Sequence, residues 1–270
     1  MDKNSATLDA PLAGTLYVVA TPIGNLNDIS QRAIQTLQTV DAILAEDTRH
    51  SGMLLQALGI QKPLVSLHTH NEHEKTEQII TGMKKGQSYA LISDAGTPLI
   101  RDPGFSLVRA AQQHTIKVIP IPGPCALITA LSAAGIPCDQ FTFAGFLPVK
   151  QQARIAQLTT LRSQGLTLVF YESTHRLAAC LADIATVYGP DYQLVIAKEL
   201  TKIFEEITIL NSDEIIQWLD QVKSWQGEYV LGVEASPKKP VESEFDEATL
   251  AWIKAIDTET GHKDLSEIIS

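Results

Sequence analysis

Four short stretches concentrate side chains able to move protons or hold phosphate. Ala45-Glu46-Asp47-Thr48-Arg49-His50 closes an apolar run with two carboxylates, a hydroxyl, a guanidinium and an imidazole. Charged groups behind a buried strand are costly unless they are paired or used. Arg49 can grip a phosphate through two parallel hydrogen bonds, and Glu46 or Asp47 can accept a proton. The same run also reads as a helix cap made by Asp47 or Thr48. His68-Thr69-His70-Asn71-Glu72-His73 crowds three histidines together. It reads as a loop touching substrate through His70 and Asn71, as a metal site, or as a solvated loop with Asn71 capping the next helix. Phe170–Arg176 carries Glu172 and Arg176, and Ala197–Lys202 carries Lys198 and Lys202. Both suit the walls of a cleft, or a surface set of salt bridges.

Proline and glycine gather where strands should end: Ala20–Leu26, Ser93–Pro98, Asp102-Pro103-Gly104 and Pro120–Ala126. Proline holds φ fixed and glycine lets a ligand approach the backbone closely. In a wound sheet, ligands bind beyond the carboxyl ends of the strands. Several such loops on one sheet edge therefore read as a binding site, and singly they read as ordinary turns. The chain has no GxGxxG, no GxxxxGK[ST], no GxSxG and no HExxH. Dinucleotide binding, phosphate-loop chemistry, serine hydrolysis and zinc hydrolysis lack their usual signatures.

The elements that must position these groups alternate regularly. Strands are expected at Thr15–Ala20, Ala42–Ala45, Leu64–Leu67, Tyr89–Ser93 and Lys117–Ile121. Helices are expected at Ile29–Leu37, around Met53–Leu58, at Glu72–Lys85 and at Phe105–Gln113. This is the pattern of a mostly parallel α/β sheet covered on both faces. After Pro122-Gly123-Pro124 the texture changes. Ala126–Ala134 reads as a helix, Phe141–Leu147 as a strand, Ala153–Leu161 as a helix, Leu166–Tyr171 as a strand and His175–Val187 as a helix. Gln193–Ala197, Ile203–Leu210 and Glu228–Val233 read as strands, the first two as a hairpin. The expected organisation is two α/β domains, 14–122 and 123–240, followed by an acidic helical tail, 241–270.

The 270 residues carry a net charge of −10, with 44% hydrophobic and 19% charged residues, enough apolar material for a packed core. Acids and bases balance at 16 each through Phe204; the remaining segment has 15 acids against 5 bases. An acidic chain is a poor generic nucleic-acid binder, yet its first three quarters are neutral and can carry a basic face. Three cysteines without CxxC spacing suit a reducing cytoplasm. No signal peptide or membrane-length apolar run is readable.

Taken together, Gly14–Leu26, Glu46–Arg49, Ser93–Pro98 with Asp102–Gly104, Pro122–Pro124, Phe170–Arg176 and Lys198–Thr201 resemble the ribosomal RNA small subunit methyltransferase I group, from about Gly14 to Ala235. That group belongs to the tetrapyrrole-methylase-like class of S-adenosylmethionine (SAM) methyltransferases. The resemblance implies two α/β domains with SAM in the cleft between them, and usually a homodimer. It implies methylation of a cytidine ribose 2′-hydroxyl in the decoding region of small-subunit ribosomal RNA, as free RNA or 30S subunit. It also implies SAM contacts from Pro22, Asp94, Gly96, Thr97, Pro98, Ile100, Cys125, Ala126, Phe170, Tyr171, Leu200 and Thr201. Cys125 stands where the family's Pro-Gly-Pro loop usually continues with serine, and the acidic tail replaces a basic helical pair. On this reading Glu46, Asp47 and Arg49 form the catalytic cluster, with His70 and Glu172 as further candidate bases. Arg49, Arg101, Lys198 and Lys202 would meet RNA. The alternatives are a tetrapyrrole-precursor methyltransferase and a SAM- or nucleotide-sensing module.

Overall fold

The first five apolar runs become strands, and polar caps set where two of the intervening helices begin. We describe the chain from a computed structural model, which describes residues 14–190, 192–222 and 225–235. The expected tail, 241–270, lies outside the described residues. The first sheet contains β1 (Thr15–Val19), β2 (Ala42–Ala45), β3 (Leu64–Ser66), β4 (Tyr89–Ile92) and β5 (Lys117–Ile121). All its pairings are parallel, in the order β3-β2-β4-β1-β5. Four helices connect them: α1 (Gln31–Thr39), α2 (Thr48–Ala57), α3 (Glu72–Lys84) and α4 (Phe105–Gln113).

Alternation along the strands divides the core. Tyr17 and Val19 of β1 pack with Ala33 and Leu37 of α1 and Leu55 of α2. Leu16 packs with Ile79 and Met83 of α3 and Leu107 of α4, on the other face. The connections from β1 and β4 leave in opposite directions along the sheet. Their carboxyl ends therefore border a crevice, the usual ligand position in such a fold.

Caps explain two shifted boundaries. Ser30 Oγ accepts from Ala33 N–H at 3.1 Å, so α1 begins at Gln31. Asp47 Oδ1 accepts from Arg49 N–H at 2.8 Å and His50 N–H at 3.4 Å, so α2 begins well before the expected Met53. Asn71 occupies the capping position of α3 but makes no side-chain cap. Its amide closes its own loop instead, accepting from His68 N–H and donating to Ser66 O.

Glu72 does the more consequential capping. This buried carboxylate accepts from the N–H groups of Gly104, Ser106 and Leu107 at 3.2, 2.7 and 3.4 Å. It thereby satisfies the start of α4 from a neighbouring helix and favours the helix dipole. Glu72→Ala should cost about 1–3 kcal/mol, because the buried N–H groups lose their acceptor. Urea denaturation measures that loss, and amide exchange should quicken first at Ser106 and Leu107.

The second sheet contains β6 (Phe141–Phe146), β7 (Thr167–Ser173), β8 (Gln193–Lys198), β9 (Glu206–Asn211) and β10 (Glu228–Val233). Its order is β6-β7-β10-β8-β9; β6 and β7 are parallel, and the other pairs are antiparallel. The expected pairing of the strands after Gln193 is present. However, β9 begins at Glu206. Ile203 and Phe204, which mimic a strand start, are 95% and 76% exposed in the turn before it.

Helix α5 (Ala126–Ala133) packs on one face; α6 (Gln151–Ser163), α7 (Leu177–Tyr188) and α8 (Ile215–Gln221) follow in the chain. The α7 and α8 residues Cys180, Ile184 and Ile215 pack against Phe170, Ile196 and Leu231 on the other face. Helix α8 has no counterpart in the sequence reading. The described residues form one compact unit, and Ile23 from the loop after β1 packs with Leu127 of α5 and Val230 of β10.

Candidate active site

The loops after β1, β4 and β5 are stitched together at the carboxyl edge of the first sheet. Thr21 N–H donates to Gly96 O at 2.9 Å, and Gly96 N–H returns the bond to Thr21 O at 3.1 Å. Thr21 Oγ1 donates to Ser93 O at 3.0 Å, and Thr97 Oγ1 donates to Pro124 O at 3.0 Å. Because β1 lies between β4 and β5, one threonine can link its loop to the next. Gly96 sits at φ +83°, a conformation open to glycine without strain.

Facing these loops, Tyr171 and Ser173 of β7, Leu200 after β8, and Gly227–Val230 at the start of β10 complete a cleft of about 470 Å³. Two contacts close it at the sides. A Cβ on Gly24 would lie 2.5 Å from Lys202 Cγ, so the loop after β1 touches residues 200–202. A Cβ on Gly145 would lie 2.7 Å from Arg101 Cδ, and the Arg101 guanidinium lies 5.4 Å from the Phe146 ring centre. Leu99 and Arg101 on one wall, and Glu199 and Thr201 on the other, hold positive φ angles of 49° to 76°. Strain of this kind collects at ligand sites.

Acidic groups gather under the first wall. Burial raises the Glu46 carboxyl above its ordinary range; Asp94 adds to the rise and His68 opposes it. Burial likewise pushes Asp102 up to about 6, with Glu46 and Asp94 adding and Arg101 opposing. Across the cleft, burial raises the Tyr171 phenol to about 12, helped by Cys125 and opposed by the Leu127 N–H. Tyr171 therefore stays protonated, with Phe143 and Phe146 edge-on to its ring. Among the described residues, no cluster of His, Cys, Asp and Glu could hold a metal ion.

Residues 15–216 match the family model described as tetrapyrrole (corrin/porphyrin) methylases. A Haemophilus influenzae protein named ribosomal RNA small subunit methyltransferase I is 47% identical over 260 residues, 96% of this chain and 92% of that one. The chain belongs to the tetrapyrrole methylase family and to the ribosomal RNA small subunit methyltransferase I group. An Escherichia coli O157:H7 protein of the same name is 49% identical over 244 residues, 90% of this chain and 85% of that one. In fold, the methylase is similar to uroporphyrin-III-C-methyltransferase from Thermus thermophilus. The TM-score is 0.55 at 20% identity, over 82% of this chain and 94% of that one.

In this methylase, Gly96, Thr97, Ile100, Arg101, Cys125, Ala126, Tyr171, Glu172 and Leu200 come together on the cleft wall. Pro22, Asp94, Pro98 and Thr201 lie in the loops immediately behind it. Phe170 does not face the cleft: alternation along β7 turns its fully buried ring into the opposite core, beside Leu177 and Leu231. Glu172 is not a free base. Its carboxylate is buried, 3.2 Å from Arg176 Nη2, and accepts from Ser173 N–H. Arg176 is equally committed, donating to Leu147 O at 2.6 Å. Lys202 is held by Glu199 at 2.8 Å and Glu228 at 2.9 Å, and Lys198 also has a partner. Asp47 is the α2 cap and lies 3.6 Å from Arg49, whose side chain is 92% exposed. His70 is exposed, and Asn71 is tied into its loop. Among the described residues, no helix is long and apolar enough to cross a membrane. Asp102, Phe146 and Gly227–Val230 line the cleft without having been singled out as site residues, whereas Ser173 lies in the Phe170–Arg176 stretch expected there. Only the Asp-Pro-Gly turn signalled Asp102.

Proposed function

We propose that the methylase transfers the methyl group of SAM to a cytidine ribose 2′-hydroxyl in the decoding region of small-subunit ribosomal RNA. The observation that carries this reading is 47% identity across 96% of the chain to a relative named for that RNA. The cleft fits the cofactor in size, since small-molecule pockets run to about 300–1,000 Å³. Its lining also fits: Ile23, Ile100, Leu200 and Val230 are apolar.

When bound, the cofactor supplies an electrophilic methyl group. Gly96, Thr97, Ile100, Cys125, Ala126, Tyr171 and Leu200 would hold it. The protein's remaining tasks are to align the ribose oxygen and to receive its proton. Alignment alone can contribute roughly 7–11 kcal/mol. Arg49 and His70, exposed on the same strand-end edge, would hold phosphate, while Glu46 sets the local charge beneath them. We read the active form as a cytoplasmic homodimer.

The test offers labelled SAM to 30S subunits, free small-subunit RNA and tetrapyrrole precursors, then maps methylated nucleotides by mass. Label on a cytidine ribose supports the reading. Label on a tetrapyrrole, or on a base, overturns it. Arg49→Ala should weaken RNA binding and lower the salt slope by about one, with SAM affinity unchanged. A salt slope equal to wild type would remove Arg49 from the RNA surface.

A further inference from the structure

We propose that Asp102 is the proton acceptor for the hydroxyl group methylated in this cleft. The inference rests on the reading above and adds the residue that completes its chemistry. Three carboxyl-bearing residues reach the cleft wall: Asp102, Glu172 and Glu228. Glu172 is buried against Arg176, and Glu228 is bonded to Lys202. Asp102 forms no ion pair or hydrogen bond within the described residues. It is half-buried, at the strained turn that carries Ile100 and Arg101. Glu46 and Asp94, at the ends of β2 and β4, lie close enough to repel its charge but do not line the cleft.

These surroundings make Asp102 a stronger base than an ordinary aspartate. Burial, Glu46 and Asp94 raise its affinity for a proton, Arg101 lowers it, and Tyr171 faces it in neutral form. With a pKa of about 6, it is largely ionised at neutral pH yet ready to take a proton. In the step itself, the hydroxyl oxygen bonds to the methyl carbon as the carbon–sulfur bond breaks, its electron pair staying on sulfur. The hydroxyl proton passes to Asp102 and from there to solvent. His175, also on this wall, has no hydrogen-bond or ion-pair partner among the described residues and is exposed to water.

The experiment compares wild type, Asp102→Asn and Asp102→Glu. SAM affinity is measured by calorimetry, and single-turnover methylation of 30S subunits is followed from pH 5 to 8. The wild-type rate should rise with pH until about 6 and then level, because protonated Asp102 cannot accept a proton. Asp102→Asn should keep SAM affinity within about threefold, lose the rise, and turn over about 10²–10⁴-fold more slowly. Asp102→Glu should recover part of the rate and the pH dependence. Independently of activity, carbon-13 spectra of the unliganded protein should show one carboxyl titrating near 6 that disappears in Asp102→Asn.

Wild-type turnover by Asp102→Asn overturns the proposal. So does a loss of SAM affinity as large as the loss of rate, or Asp102 titrating near 4. If wild type methylates no ribose at all, the functional reading fails first and the proposal falls with it. If His175→Ala, and not Asp102→Asn, abolishes the pH-dependent limb, the proton goes to His175 instead.

Discussion

Asp183→Ala should destabilise the methylase by about 3–5 kcal/mol, since it strands a buried guanidinium. Asp183 lies 2.5 Å from Arg154 Nη2 and accepts from Arg154 Nε at 2.6 Å; the two side chains are 3% and 5% exposed. Gln151 donates to the other Asp183 oxygen at 2.8 Å. Arg154 Nη1 donates to Pro148 O and Val149 O at 3.2 and 3.1 Å. One ion pair thus joins α6 to α7 and holds the segment leaving β6. The same segment is held from the other side by Arg176, and it begins beside Phe146, on which Arg101 stacks. Loss of Asp183 should therefore loosen the cleft as well as the core.

Against a total stability of about 5–15 kcal/mol, the expected loss is large. It should lower the melting temperature by on the order of 10 °C. The double change Arg154→Met with Asp183→Leu should recover most of the loss, because no charge is then left buried alone. Calorimetric melting of the three proteins checks both statements. A melting temperature for Asp183→Ala within a degree or two of wild type would show that Arg154 finds water or another acceptor.

Gly96→Val should lower SAM affinity by more than tenfold in a folded protein. Gly96 holds φ +83°, where a side chain costs about 1–2 kcal/mol and a β-branched one more. A Cβ there would meet Ile23 Cγ2 at 3.4 Å and Pro124 O at 3.8 Å, both ordinary contacts. Gly96→Ala should therefore be tolerated with a modest loss. Valine adds two methyl groups beside Ile23 and Thr97, at a place where the Thr21–Gly96 bridge leaves the backbone little room to retreat. Calorimetry of SAM binding separates the two variants. Equal affinities for wild type, alanine and valine would mean that the cofactor does not approach this loop.

Much of the fold was readable because buried strands must be apolar and loops must turn. The five runs of the first sheet and both partners of the β8–β9 hairpin stand out as short apolar segments between glycine, proline and polar residues. Capping chemistry, read more strictly, would have started α1 after Ser30 and α2 after Asp47. Helix α8 escaped because a seven-residue helix carries too few turns to show a period. Ile203 and Phe204 misled because apolar residues look alike in a turn and in a strand. Period two along β7 already separates Phe170 from Tyr171, so the burial of Phe170 was available from the sequence pattern.

The roles of individual charged groups were a different matter. Glu172 and Arg176 are four residues apart, across the turn from β7 to α7, and their spacing alone permits a pair. Only the packing of α7 under β7 buries Glu172 against Arg176. Asp102 gained its altered acidity first from burial, and then because β2 and β4 are neighbours, which places Glu46 and Asp94 close to a residue distant from Glu46 in the chain. The sequence by itself determined the strand–helix order apart from α8, the family and the loops that form the cleft, since these follow from local pattern and motif. Which carboxylate remains free, which is paired and which acts as a cap was decided only by tertiary structure. Electrostatic energy depends on distance and burial, and neither is a property of sequence spacing.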